Sequence, residues 1–170
     1  TEDVENYPHF ATVESPSTQA TVVTPLVLDP NGAPAFGSVS LRSGFTPDPY
    51  QATVTSGGPI DVTYLSGCAG FAAVNPDFEV SYTAGTSQLL RIYFTGEADT
   101  TLVVRGPNGS FSCADDSFES VNPTVDFSSP DSGTYAIWVG NFVEGVGTTG
   151  TLSITEDDEN YPQFVTVESP

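Results

Sequence analysis

The sequence predicts an all-β protein: a β-sandwich, jelly-roll-like, of about ten short and mostly antiparallel strands. Three observations carry that expectation. Short runs of alternating apolar and polar residues recur from residue 36 to residue 155, and none keeps a helical period. The chain holds 16 glycines and 14 prolines, many of them at turn-forming positions between these runs. Thr, Ser and Val fill the runs, and β-branched side chains suit a pleated, half-buried surface.

Taken in order, residues 1–16 are acidic, pass through Tyr7-Pro8 and a short apolar run at 10–13, and read as a linker with one extended piece. Residues 20–28 form a strand interrupted by Pro25, which confines it to an edge or to a covering segment. Asp29-Pro30-Asn31-Gly32 is a turn. Strands then follow at 36–42, 50–55, 60–65, 78–83, 89–95, 101–105, 110–113, 124–127, 135–139 and 149–155. The strongly apolar run 89–95 reads as a central strand. Gly106-Pro107-Asn108-Gly109 has the chemistry of a hairpin turn, and it accounts for the Asn108-Gly109-Ser110 triplet without a sugar. Asp131-Ser132-Gly133-Thr134-Tyr135 resembles the corner of immunoglobulin-like sandwiches, in which a tyrosine hydroxyl bonds back to its own loop. Trp138, with Tyr135 and Phe142, is expected in the core rather than as a sugar-stacking platform.

One stretch occurs twice. TEDVENYPHFATVESP at 1–16 returns as TEDDENYPQFVTVESP at 155–170, with differences only at Val4/Asp158, His9/Gln163 and Ala11/Val165. The chain therefore reads as one period of a tandem repeat of 154 residues plus the start of the next. Residues 1–16 are an inter-repeat linker, 17–154 the sandwich, and 155–170 the beginning of the following unit. Within the linker, Tyr7, Phe10 and Val13, and their counterparts Tyr161, Phe164 and Val167, are the expected docking residues between neighbouring copies.

The charge is extreme: 22 acidic residues against three arginines and no lysine, a net charge of −19. Nucleic-acid backbones would be repelled, and a polybasic membrane contact is equally disfavoured. Solubility in a salty medium is one reading, and neutralisation by bound divalent cations another. Cys68 and Cys113 sit in no zinc-type pattern. They read as one disulfide in an oxidising, extracellular setting, or as two buried thiols. The sequence contains no signal peptide and no transmembrane run.

Catalysis is not expected. The one histidine, His9, is a glutamine in the second copy, and 22 acids make any carboxylate pair uninformative. Neither a nucleophile elbow nor a phosphate loop is present.

Three blocks share an order with a known family. The first is LRSGFTPDP (41–49), GCAGF (67–71) and NPDF (75–78); the second is ADTTLVV (98–104), GPNG (106–109) and CADDS (113–117); the third is NPTV (122–125), SGTYAIWVG (132–140) and TLSITE (151–156). In these the chain resembles the bacterial pre-peptidase C-terminal domain. The resemblance implies an extracellular, non-catalytic β-sandwich found beside secreted peptidases and in arrays on bacterial surfaces. It also implies calcium, held in some relatives where an acidic linker meets the sandwich. A hairpin through Gly106–Gly109 would bring Asp99 to the same end as Asp115 and Asp116, and the linker carboxylates Asp157, Asp158 and Glu159 would extend that set; such oxygen ligands suit Ca2+. The expected function is a structural repeat unit of a surface fibre, stalk or adhesin. The alternatives are a module adhering to surface polysaccharide or protein, and the accessory domain of a secreted hydrolase.

Overall fold

The computed structural model describes residues 26–118 and 120–162. Eleven strands form in chain order: β1 (Ser38–Arg42), β2 (Tyr50–Thr55), β3 (Ile60–Asp61), β4 (Phe71–Ala72), β5 (Phe78–Thr83), β6 (Leu89–Thr95), β7 (Thr100–Arg105), β8 (Phe111–Ala114), β9 (Thr124–Ser128), β10 (Gly133–Asn141) and β11 (Thr149–Thr155). The only helical turn among the described residues is a 3-10 turn at Val62–Tyr64.

Two sheets face each other, as the alternation predicts. In the larger, the nine-residue β10 is the spine. β5 pairs with its first half and β7 with its second; β1 lies outside β5, and β8 outside β7. Past the start of β5, β10 meets the short β4–β3 pair instead. The smaller sheet runs β2-β11-β6-β9, so the apolar run 89–95 is indeed central. Every pairing is antiparallel except that of β1 with β5. The inward set of each strand makes one core: Leu90, Ile92 and Phe94 of β6 meet Val80, Tyr82, Ile137 and Val139 across the gap.

A second cluster lies on the outer face of the larger sheet. Trp138, fully buried, packs there with Val103, Ala136, Ile60, Val62 and Ala72. Its indole N–H donates to the Val74 carbonyl at 3.3 Å. The Cys68–Cys113 disulfide staples the covering loop to β8 over this cluster, so the two cysteines are not free thiols. The chain between residues 66 and 71 fits here because Gly70 adopts φ +90°, and a Cβ on it would lie 2.5 Å from the Asn141 carbonyl oxygen.

Several expectations change. The run 60–65 is not a strand beyond Asp61, whose side chain accepts from Thr63 N–H at 2.9 Å and Thr63 Oγ1 at 2.7 Å and so turns the chain into the 3-10 turn. Of the strand expected at 20–28, residues 20–25 lie outside the described residues. Residues 26–28 are not a strand; they cover the outer cluster through Leu28, whose N–H donates to the Tyr64 hydroxyl at 2.9 Å. Phe142 does not join Trp138 and Tyr135 in the core and is 48% exposed. The tyrosine corner forms as expected: the Tyr135 hydroxyl donates to the Asp131 carbonyl at 2.9 Å.

Candidate functional site

Two places on the molecule gather charged side chains. The first is the acidic set. Asp99 immediately precedes β7, and Asp115 and Asp116 immediately follow β8, so the β7–β8 hairpin brings all three to one end of the sandwich. They feel one another. Partial burial raises Asp99 above the usual carboxylate range, and the charges of Asp116 and Asp115 raise it further. The Asp99 carbonyl accepts from Phe142 N–H at 3.1 Å, and Asp115 Oδ1 accepts from Asp116 N–H at 3.0 Å. Crowded carboxylates of this kind favour a cation, and oxygen donors suit calcium. However, among the described residues no three His, Cys, Asp or Glu side chains converge closely enough to form a ready metal cage.

Among the described residues the linker carboxylates form no metal-holding group with this set. The chain leaves β11 at Thr155, which lies opposite Arg91 near the start of β6. Asp157 and Asp158 there border a hollow with Asp48, Ser87, Gln88 and Glu156. Glu159 donates its N–H to Asp157 Oδ1 at 2.9 Å and borders a neighbouring hollow on the outer face of the smaller sheet.

The second place is built on that outer face, and it holds the linker itself. Arg91 projects outward from the centre of the sheet, yet it is only 6% exposed. Asp126, its cross-strand partner on β9, grips one edge of the guanidinium at 2.7 and 2.8 Å. The remaining nitrogen, Nη1, donates to the carbonyls of Asp158 at 2.8 Å and Asn160 at 3.0 Å. The guanidinium also lies 5.1 Å from the centre of the Phe118 ring, and Phe118 in turn meets Tyr161 at 5.0 Å. Thr155 Oγ1 accepts from Asp157 N–H and from Asn160 Nδ2, each at 3.0 Å, and closes the turn. At the base, Glu156 accepts from Gly44 N–H at 2.7 Å and from the Tyr82 hydroxyl; burial, then this carboxylate, pushes Tyr82 up to about 12. Residues 156–162 are thus a strap across the sheet, ending at the buried Pro162.

Sequence reasoning named Tyr161 as a docking residue between neighbouring copies; within this chain its ring meets Phe118. Tyr7, Phe10, Val13, Phe164 and Val167, together with His9, lie outside the described residues. It missed Arg91, Asp126 and Phe118. The signal was present: an arginine within the apolar run LLRIYF, in a chain with only three cations, needs a partner above the sheet.

The carboxyl with the largest upward shift, Asp77, is also accounted for structurally. It is 2% exposed, and burial pushes it up to about 7. Its Oδ2 accepts from Val139 N–H at 2.7 Å, where β10 extends past the start of β5. It fills in for the missing strand. No protein-family model matches this chain, and a search of curated proteins likewise found no match.

Proposed function

We propose that this sandwich is a non-catalytic structural unit of an extracellular tandem array, of the pre-peptidase C-terminal type, stabilised by calcium. The observation that carries the reading is the strap. A linker that recurs almost unchanged is expected to be under structural demand, and residues 156–162 are tied to the sheet by the only ion-paired arginine among the described residues. A disulfide accords with an oxidising compartment. Successive units sharing one such attachment would hold a reproducible relation to one another, as a fibre or stalk requires.

Electron microscopy of the native material tests the array: elongated assemblies with a regular repeat are expected, and isolated compact particles overturn it. Calcium is tested by thermal unfolding with and without EDTA. A ligand bound only to the folded state raises its stability by mass action, so EDTA should lower Tm, and Asp116→Ala should reproduce the drop. An unchanged Tm removes calcium from the proposal.

A specific observation supports adhesion as a second reading. Phe142, Val143 and Val146 are all exposed, and Val146 borders an open hollow with Gly57, Gly58 and Pro59. Isolated apolar residues are ordinary, but three within one short loop form a surface a partner can cover. Glycan-array binding by this chain, lost in Phe142→Ser, would favour that reading.

A further inference from the structure

The strap has a twin. Residues 1–8, TEDVENYP, repeat residues 155–162, TEDDENYP, with a single change, Val4 for Asp158. That change falls at a position whose side chain makes no hydrogen bond to the sandwich; Asp158 engages Arg91 through its main-chain carbonyl. Every strap side chain that makes a hydrogen bond or a ring contact is retained. Glu2 stands for Glu156, which holds Gly44 and Tyr82; Asp3 for Asp157, which caps the turn; Asn6 for Asn160, which bonds Thr155; Tyr7 for Tyr161, which meets Phe118. Pro8 stands for the buried Pro162. Main-chain carbonyls are common to all residues, so the twin offers Arg91 Nη1 the same two acceptors; only the charge of Asp158 beside Arg91 has no counterpart at Val4.

We infer that residues 1–8 are a strap for the same socket on another copy of this sandwich. The partner is a second copy of this chain, and the binding surface is Arg91, Asp126, Phe118 and Thr155 on the outer face of the β2-β11-β6-β9 sheet. Resting on the tandem-array reading, the inference moves the unit boundary: eight residues of each sixteen-residue linker belong to the sandwich before it, and only 9–16 join one unit to the next. It also makes the strap exchangeable. A socket emptied of its own segment accepts residues 1–8 of another chain, head to tail.

The test uses the full chain. Asn160→Ala with Tyr161→Ala weakens the resident strap and leaves socket and twin intact. Sedimentation velocity should then show concentration-dependent dimers and longer species, where the unmutated chain shows at least tenfold less at equal concentration. Adding Asn6→Ala and Tyr7→Ala should return the protein to monomer. A double variant that stays monomeric, or association that persists without Asn6 and Tyr7, overturns the inference. Should the double variant fail to fold, the unmutated chain decides. An excess of a peptide of residues 1–8 should speed hydrogen exchange of residues 156–162 at least threefold, and the same peptide with Asn6→Ala and Tyr7→Ala should not. Equal exchange with both peptides overturns it. These readouts need no array, so a native protein with a single sandwich would defeat the array reading without deciding this one.

Discussion

Asp77 is buried, and burial favours its protonated form, because β10 is longer than the strands beside it. Where β5 begins, at Phe78, the next main-chain donor of β10 would face no partner, and the Asp77 carboxyl reaches across to accept from Val139 N–H. Burial opposes its ionisation and places its pKa at about 7, against 3.8 for the free side chain. Between those values the folded state holds a proton that the unfolded state has lost. Stability therefore falls as pH rises from about 4 to about 7, by roughly 4 kcal/mol from this residue alone, and is flat above that window. Asp77→Asn keeps an acceptor for Val139 and cannot ionise. Urea unfolding at pH 4, 6 and 8 should give the variant a growing advantage over the unmutated chain as pH rises; a constant difference would contradict the assignment. Repulsion among the other carboxylates is common to both proteins and cancels in the comparison. At this scale the sequence was partly legible. The Tyr135 corner and the Cys68–Cys113 pair were readable because each depends on local or pairwise chemistry. Asp77 was not, because the need it meets arises from how far three separate strands extend.

Among the elements, the strap best separates what a local pattern can and cannot reveal. Strands β2, β5, β6 and β11 fall where alternation places them, since each buries one face against the facing sheet. The two-residue β3 and β4 escape periodicity altogether, and β1 pairs in parallel with β5, an orientation alternation does not encode. The strap has no period of its own; its place is set by Arg91 and Asp126, distant in sequence from it. The same limit applies to the expected metal residues. The hairpin brings Asp99 to Asp115 and Asp116, whereas the course of the strap takes Asp157 and Asp158 elsewhere. Arg91→Ala leaves two carbonyls and Asp126 without their donor. It should cost about 2–3 kcal/mol, discounted from a fully buried pair because Asp126 is 40% exposed. Thermal unfolding should register this as a Tm lower by roughly 5–10 °C. Glutamyl endopeptidase should then cut after Glu156 or Glu159 several-fold faster than in the unmutated chain.

The whole molecule has two apolar layers, one between the sheets and one outside the larger sheet, and they are held differently. The inner layer is closed by strands on both sides. The outer one is roofed largely by loop, with Leu28 and the 3-10 turn over Trp138, and is crossed by one covalent link. That link closes a separation of 45 residues, worth up to about 4 kcal/mol in chain entropy. Replacing both cysteines by alanine should cost roughly 2–4 kcal/mol and lower Tm by roughly 5–15 °C. The loss of protection measured by hydrogen exchange should centre on residues 60–74 and spare β6 and β11. Uniform loss would mean that the two layers unfold as one. The net charge of −19 acts at this scale too: added salt screens it, so Tm should rise with ionic strength even without divalent cations.

A strap laid back over its own sheet is also stored length. Tension applied through Pro162 reaches the Arg91 contacts before it reaches the ladders of β11 with β2 and β6. A few hydrogen bonds and one aromatic contact yield sooner than two full ladders. Seven residues drawn straight supply up to about 25 Å of extension while the sandwich stays folded. The chain thus carries a small, reversible slack, and stretching single molecules should register it as a low-force step that vanishes in Arg91→Ala.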